Sequence, residues 1–383
     1  MPSHKAKRED ATRGAAGVDW SKVEDAYGPA TDLPKDLQAL RSPTPRTRRT
    51  ALERLWARLC HQGSVYEASA VAVPFLVEVA GNARLRDRDR VLELLGGIAV
   101  GDHANFLDGS LSAKRRPKRR PSAPPSKSVE QRCHDAVAAR APAVRVLLGD
   151  RDARVRGAAA FVLAWLNGGE KASATAIAAR CRDERDPAAR ASMLIALGHL
   201  GATSARPELT RALTFAFDER KAVSLPRVAA AIALVYLDGR RAPDVARALL
   251  DTASAVAPLA KTLQPWNGGD LAGHAAAVAA TFPARKADLG SKLARLSVVG
   301  YIAGDLLAGQ LVRSVFKGRG AKRAASLTHP ERALLEAIVT AGLLRPMGQV
   351  EQALAMRGLP ELRELPCFVG VNPGVHRELR RRR

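Results

Sequence analysis

Six times along the chain an arginine is followed, mostly by apolar residues, at the same four positions: +3, +6, +7 and +10. The clearest copy lies in the stretch Asp152 to Leu166, where Arg156 leads to Ala159, Val162, Leu163 and Leu166. Others start at Arg190 (Met193, Ala196, Leu197, Leu200), Arg227 (Ala230, Ala233, Leu234, Leu237), Arg49 (Leu52, Leu55, Trp56, Leu59), Arg88 (Val91, Leu94, Leu95, Ile98) and Arg332 (Leu335, Ile338, Val339, Gly342). This spacing puts the four positions on one stripe of an α-helix. Successive arginines stand 39 residues apart from Arg49 to Arg88, 34 from Arg156 to Arg190 and 37 from Arg190 to Arg227. A period of that length implies stacked helix pairs, since one pair cannot bury its apolar face without a neighbour. Leu163, Leu166, Leu197, Leu234 and Leu237 are the expected core between pairs.

Asp152-Ala-Arg-Val-Arg156 followed by Ala159 and Leu163, and again Asp186-Pro-Ala-Ala-Arg190, resemble the second helix of a HEAT repeat. The resemblance implies that Asp152 and Asp186 cap their helices and that Arg156 and Arg190 reach towards the neighbouring repeat. The copies at Arg49, Arg88 and Arg227 carry Pro45, Arg84 and Val223 where that aspartate would stand. A more distinctive stretch, Trp56-Ala-Arg-Leu-Cys-His-Gln-Gly-Ser-Val-Tyr-Glu-Ala-Ser69 running on to Ala72-Val-Pro-Phe-Leu76, resembles the N-terminal signature of bacterial HEAT-repeat (PBS-lyase HEAT-like) proteins of unassigned activity. That likeness covers about residues 36–100, with a second over Leu327 to Gly370. The expected fold is all-α, a right-handed superhelical α-solenoid of HEAT-type helix pairs.

The expected order along the chain is as follows. Residues 1–30 form a disordered or loosely docked arm, with Trp20 and Tyr27 available to dock it. Residues 31–108 hold the first repeats, with helices near 34–41, 46–60, 67–80 and 84–100. Residues 109–128 are a disordered, basic, proline-rich insert, too poor in apolar side chains to offset its ordering entropy. Residues 129–345 resume the array with helices near 130–148 and 153–167, 171–181 and 187–200, and 205–217 and 225–238. A more degenerate pair is expected over 242–263 and 270–282, then a long helix over 285–316 and a last copy over 330–344. Residues 346–383 supply capping helices near 349–357 and 360–365 and a basic tail. The apolar run Leu296 to Val312 is interrupted by Asp305 and three glycines, so it reads as a buried helix rather than a membrane span.

The formal net charge is +23, and its distribution matters more than its size. Lys114 to Lys127 carries +7, Arg313 to Arg323 carries +5 and Arg377 to Arg383 carries +4, leaving the helical body close to balanced. Clustered cations of this kind neutralise phosphates and favour sequence-blind nucleic-acid binding. The expected contacts are Lys114, Arg115, Arg116, Lys118, Arg119, Arg120 and Arg380, Arg381, Arg382, Arg383. A solvated linker and tail would have the same composition. The four cysteines form no C-x-x-C pair and the N-terminus has no apolar signal segment, so a reducing cytoplasm is the expected compartment.

Three candidate chemistries were weighed. His61, Gln62, Tyr66 and Glu67 gather polar groups within a few residues, but a tight interhelical turn ended by Gly63 accounts for them as well. Cys60-His61 and Cys133-His134 invite a metal, yet adjacent side chains on a helix diverge by about 100°, so each dipeptide offers one ligand at most. A HEAT-like DNA glycosylase would use Trp and Asp on a basic face. Here Trp56 and Trp165 fall in the apolar frame of their helices and read as core. The expected function is therefore a non-enzymatic scaffold, without cofactor or metal, binding another protein through its concave face and making no use of a membrane. Polyanion binding through the insert and tail is the alternative.

Overall fold

The computed structural model describes residues 17–61, 64–100, 128–214, 224–253, 266, 271–279, 293, 296, 301–316, 323–343 and 349–371. Within the arm expected over 1–30, the described part is anchored rather than loose. A 3-10 turn at Trp20–Lys22 leads into a two-residue hairpin, β1 (Glu24–Asp25) against β2 (Gly28–Pro29). Trp20 is buried and lies 6.1 Å, centroid to centroid, from Phe75. The fully buried Asp25 carboxylate accepts from Arg58 at 2.7 Å and from the Tyr27 backbone N–H at 2.8 Å. Tyr27 itself stays exposed.

The chain is then mostly helical. The elements are α1 (Leu33–Ala39), α2 (Pro45–Leu59), a second hairpin of β3 (Cys60–His61) with β4 (Ser64–Val65), α3 (Glu67–Gly81) and α4 (Arg88–Val100). After the insert come α5 (Val129–Ala138), α6 (Ala141–Val146), α7 (Ala153–Ala164), α8 (Glu170–Asp183), α9 (Pro187–His199), α10 (Arg206–Thr214), α11 (Leu225–Asp238), α12 (Asp244–Ala253) and α13 (Leu271–Ala279). The last elements are α14 (Tyr301–Val315), α15 (His329–Thr340), α16 (Gln349–Ala355) and α17 (Leu365–Val369). Starts follow local chemistry. Pro45, Pro187 and Pro226 occupy first-turn positions, where a missing N–H costs nothing. A single helix expected over 130–148 is instead two, with Pro142 in the first turn of the second. The helix expected near 360–365 lies later, at 365–369, with Pro366 in its first turn. Of the long helix expected over 285–316, the span described without a break is Tyr301–Val315.

Helices α2, α4, α7, α9, α11 and α13 pack each upon the next in chain order, and α4 meets α7 directly although the insert lies between them. The partner helices α3, α5, α8, α10 and α12 lie against this layer. Alanine allows the helices to come close: Ala158, Ala159, Ala160, Ala191, Ala196, Ala229, Ala230 and Ala233 are all buried. Leu163, Leu166, Leu197 and Leu234 are buried as the frame predicts, whereas Leu237 is half-buried at the end of α11. Among the described residues, the buried apolar side chains form two clusters. One runs from Trp20 to Ala279, and the other, from Leu296 to Val369, contains the frame copy that begins at Arg332.

Candidate functional site

The expected arginine ladder is present, with a partner the sequence reading missed. Asp152 caps α7 by accepting from the Arg154 N–H, and Asp186 caps α9 by accepting from the N–H groups of Ala188 and Ala189. Arg156 crosses to Glu184, with both contacts at 2.6 Å, and Arg88 crosses to Asp150 at 2.6 and 2.9 Å. Arg190 pairs with Glu208 at 2.6 Å. In the first copy the ladder residue is Arg48, not Arg49. Arg48 is buried and pairs with Asp87 at 2.8 Å, while Arg49 is exposed. Arg48 also donates to the carbonyls six and five residues upstream (Ser42, Pro43), as Arg156 does to those of Asp150 and Arg151. Asp150 and Glu184, two residues before each cap, are therefore the rungs. The Arg88 guanidinium holds the Asp150 carboxyl below its usual range. Burial works against the charge of Glu184, yet bonds from Arg156 and the Asp186 N–H keep its carboxyl low as well. Removing one partner of such a buried pair typically costs about 3–5 kcal/mol, because the other charge is left stranded.

Of the polar residues at 61–67, the described ones turn to different partners, as a structural turn between helices implies. His61 sits in β3, with Nδ1 3.4 Å from Tyr27 Oη and the two rings edge to face. Glu67 turns to Arg132 on α5 at 2.9 Å. The Tyr66 carbonyl accepts from the Cys133 thiol, and the Tyr66 N–H is bonded to Ser69, which in turn donates to the Leu59 carbonyl. Gln62 and Gly63 lie outside the described residues. The group is largely a junction between hairpin and helices. Neither Cys-His dipeptide is a ligand pair. His134 is buried, its Nδ1 bonded to the Ala99 carbonyl and its Nε2 accepting from the Asn167 N–H, and burial pushes the Cys133 thiol up to about 12. Among the described residues, no group of three or more His, Cys, Asp or Glu is placed to hold a metal ion.

Two features stand out instead. The first is a cleft of about 270 Å³ between α2 and α4. Arg49, Glu53 and Trp56 enter it from α2, and Arg86, Arg90 and Glu93 from α4 and the turn before it. Trp56 is half-buried, and its ring lies on the α4 backbone at Gly97, where a Cβ would stand 2.8 Å from Cη2 and Cζ3. Asp87 at the lip has a left-handed backbone (φ 57°) while it pairs with Arg48. Burial, and then the nearby Asp89 charge, push the Glu93 carboxyl up to about 7.

The second feature concentrates rings in an aromatic-poor chain. Phe161 on α7, Trp165 at its C-terminal end, His199 on α9 and His274 on α13 converge on Trp266, and Tyr236 on α11 joins the group through His199 and His274. The Trp165 and His199 centroids are 4.1 Å apart, and those of His199 and Tyr236 are 5.7 Å apart. Trp266 is buried and donates to Ser192 Oγ at 2.7 Å, and Ser192 donates to the Gly157 carbonyl at 2.7 Å. Tyr236 and His274 share a 2.6 Å hydrogen bond, and burial drops the His274 imidazole to about 4. Trp165, His199 and Tyr236 are half-buried, so α7, α9 and α11, neighbours in the layer, carry one strip of rings. Trp56 and Trp165 pack against the core, as their helical frame implies, but each keeps part of its ring uncovered, Trp56 at the cleft and Trp165 in the ring cluster. Helical spacing identifies which side of a helix they occupy, not whether a neighbour covers them.

Lys114, Arg115, Arg116, Lys118, Arg119, Arg120 and Arg380 to Arg383 lie outside the described residues. No family model matches the sequence, and no curated protein matches it. No helix among the described residues is long and apolar enough to cross a membrane.

Proposed function

We propose that this chain is a non-enzymatic scaffold, a right-handed superhelical solenoid of HEAT type that holds a partner protein on the face formed by α4, α7, α9 and α11. The observation that carries the reading is the strip Trp165, His199, Tyr236, half-buried on three neighbouring helices of the layer and backed by Trp266 and His274. Aromatic side chains fixed from behind lose little freedom on binding, and they dominate the energetics of protein interfaces. The ladder pairs support the same reading, since Arg88–Asp150 ties α4 to the start of α7 and Arg156–Glu184 ties α7 to the start of α9, which holds that part of the strip in register.

The test is affinity capture from nuclease-treated lysate with the intact chain and with a Trp165→Ala, Tyr236→Ala double variant whose melting curve confirms folding. A specific partner retained by the intact chain should bind the variant on the order of 30-fold or more weakly, as expected for interface hot spots. Partners held equally by both chains, or lost entirely to nuclease, would overturn the reading.

A further inference from the structure

The cleft between α2 and α4 is built unlike the rest of the layer. On α2, Arg49, Glu53 and Trp56 stand at i, i+4 and i+7, and on α4 Arg90, Glu93 and Gly97 stand at i, i+3 and i+7, with Arg86 in the turn before α4. Two helical stripes thus face one another, each with an arginine near its start and a carboxylate in the middle, and Trp56 of α2 lies over Gly97 of α4 at the far end. Arg48, beside them, is fully engaged by Asp87 and two carbonyls. Arg49, Arg86 and Arg90 are exposed and form no ion pair with a described residue. Leu52 and Val91 close the apolar wall.

This combination narrows the ligand. A purely anionic ligand would meet Glu53 and Glu93, and a purely apolar one would leave the three guanidinium groups without a role. The ligand that matches is anionic at one end and, at the other, planar with N–H donors on its edge. We propose that the cleft binds a nucleotide, its phosphate on Arg49, Arg86 and Arg90, its base against Trp56 and the base's N–H groups on Glu93. Guanidinium groups bind phosphate through paired N–H donors, and a base stacks on an indole whatever its identity. A carboxylate accepts two adjacent N–H donors side by side, an arrangement that the N1 and N2 groups of guanine present and adenine does not. The nucleotide can be free or one unit of a single strand, and the chemistry at the cleft is the same.

Isothermal titration of the full chain at about pH 8, where Glu93 is ionised, and near-physiological salt with GMP, AMP, inorganic phosphate and a short single-stranded oligonucleotide containing one guanine tests this. One saturable GMP site is expected, with AMP weaker and phosphate alone on the order of 10-fold weaker or more. An Arg49→Ala, Arg90→Ala double variant changes exposed side chains only, so it keeps the fold, and it should lose GMP binding on the order of 10-fold or more. Glu93→Gln should narrow the gap between GMP and AMP. If the oligonucleotide binds more tightly than GMP and is weakened by the same double variant, the nucleotide belongs to a single strand; if GMP binds as well as the oligonucleotide, it is free. Absence of saturable binding by both, or binding indifferent to the double variant, would overturn the assignment. In the second case the nucleotide binds elsewhere on the chain.

Discussion

Glu93 is half-buried with Asp89 and Arg90 beside it on α4 and Arg49 and Glu53 across the cleft on α2. Its carboxyl is held near 7 in the fold, while in the unfolded chain it titrates near its ordinary 4.5. Between those values the folded state binds the extra proton, so stability falls as pH rises from about 4.5 to 7 and is flat above. Glu93→Gln removes that loss. The variant should gain about 1–3 kcal/mol over the parent at about pH 8 and little at about pH 4.5, read from denaturation midpoints. An equal difference at both pH values would show that the carboxyl is not held neutral. At this scale the sequence was legible where the helical frame applied. Counting from Arg49 finds the buried Leu52, Leu55 and Leu59, whereas counting from Arg48 puts Arg54 and Arg58 at +6 and +10, so the apolar stripe pointed to Arg49 and the choice of Arg48 as ladder residue was not legible. Neighbouring residues on a helix differ by about 100° in direction, and the acid that selects one of them, Asp87, is 39 residues from Arg48.

Elements meet most closely where α9 crosses α11. A Cβ on Gly198 would stand 2.6 Å from Ala233 Cβ and 2.7 Å from its carbonyl oxygen, and backbone cannot swing aside as a side chain does. Gly198→Ala should therefore cost about 1–3 kcal/mol through overpacking, even though alanine is the better helix former by about 1 kcal/mol. Gly157→Ala, whose nearest neighbour would be 3.4 Å away, should be close to neutral or stabilising. Urea denaturation of both variants separates the two contributions, and equal stabilities would remove the packing argument. Helix starts were legible because proline and aspartate act within one turn. The two hairpins were not. Their strands are two residues long, too short to carry an alternating pattern, and β1–β2 is held by the Asp25–Arg58 pair 33 residues apart.

At the scale of the molecule, the two apolar clusters among the described residues imply two cooperative units. Described apolar residues between Leu296 and Val369 form one core, and those from Trp20 to Ala279 form the other. Calorimetry should resolve two unfolding events, and ending the chain near residue 292 should leave the larger one intact, with the buried Trp266 environment preserved in near-ultraviolet dichroism. A single transition that disappears on truncation would show instead one body joined through α13 and α14. The chain-order packing of the layer was legible from the repeat period. The ring cluster was not, because Trp266 sits in a stretch without helical pattern and reaches Ser192, 74 residues earlier.

That reach changes how the layer would yield to force. A stack in which each helix pair touches only its neighbours, pulled by its two ends, peels one pair at a time, every step at a similar low tension. Trp266 touches α7, α9 and α13 at once through Phe161, Trp165, His199, Ser192 and His274. Tension arriving at α13 is therefore shared with α7 before either can detach. The middle of the chain behaves as a rivet plate between two more yielding ends.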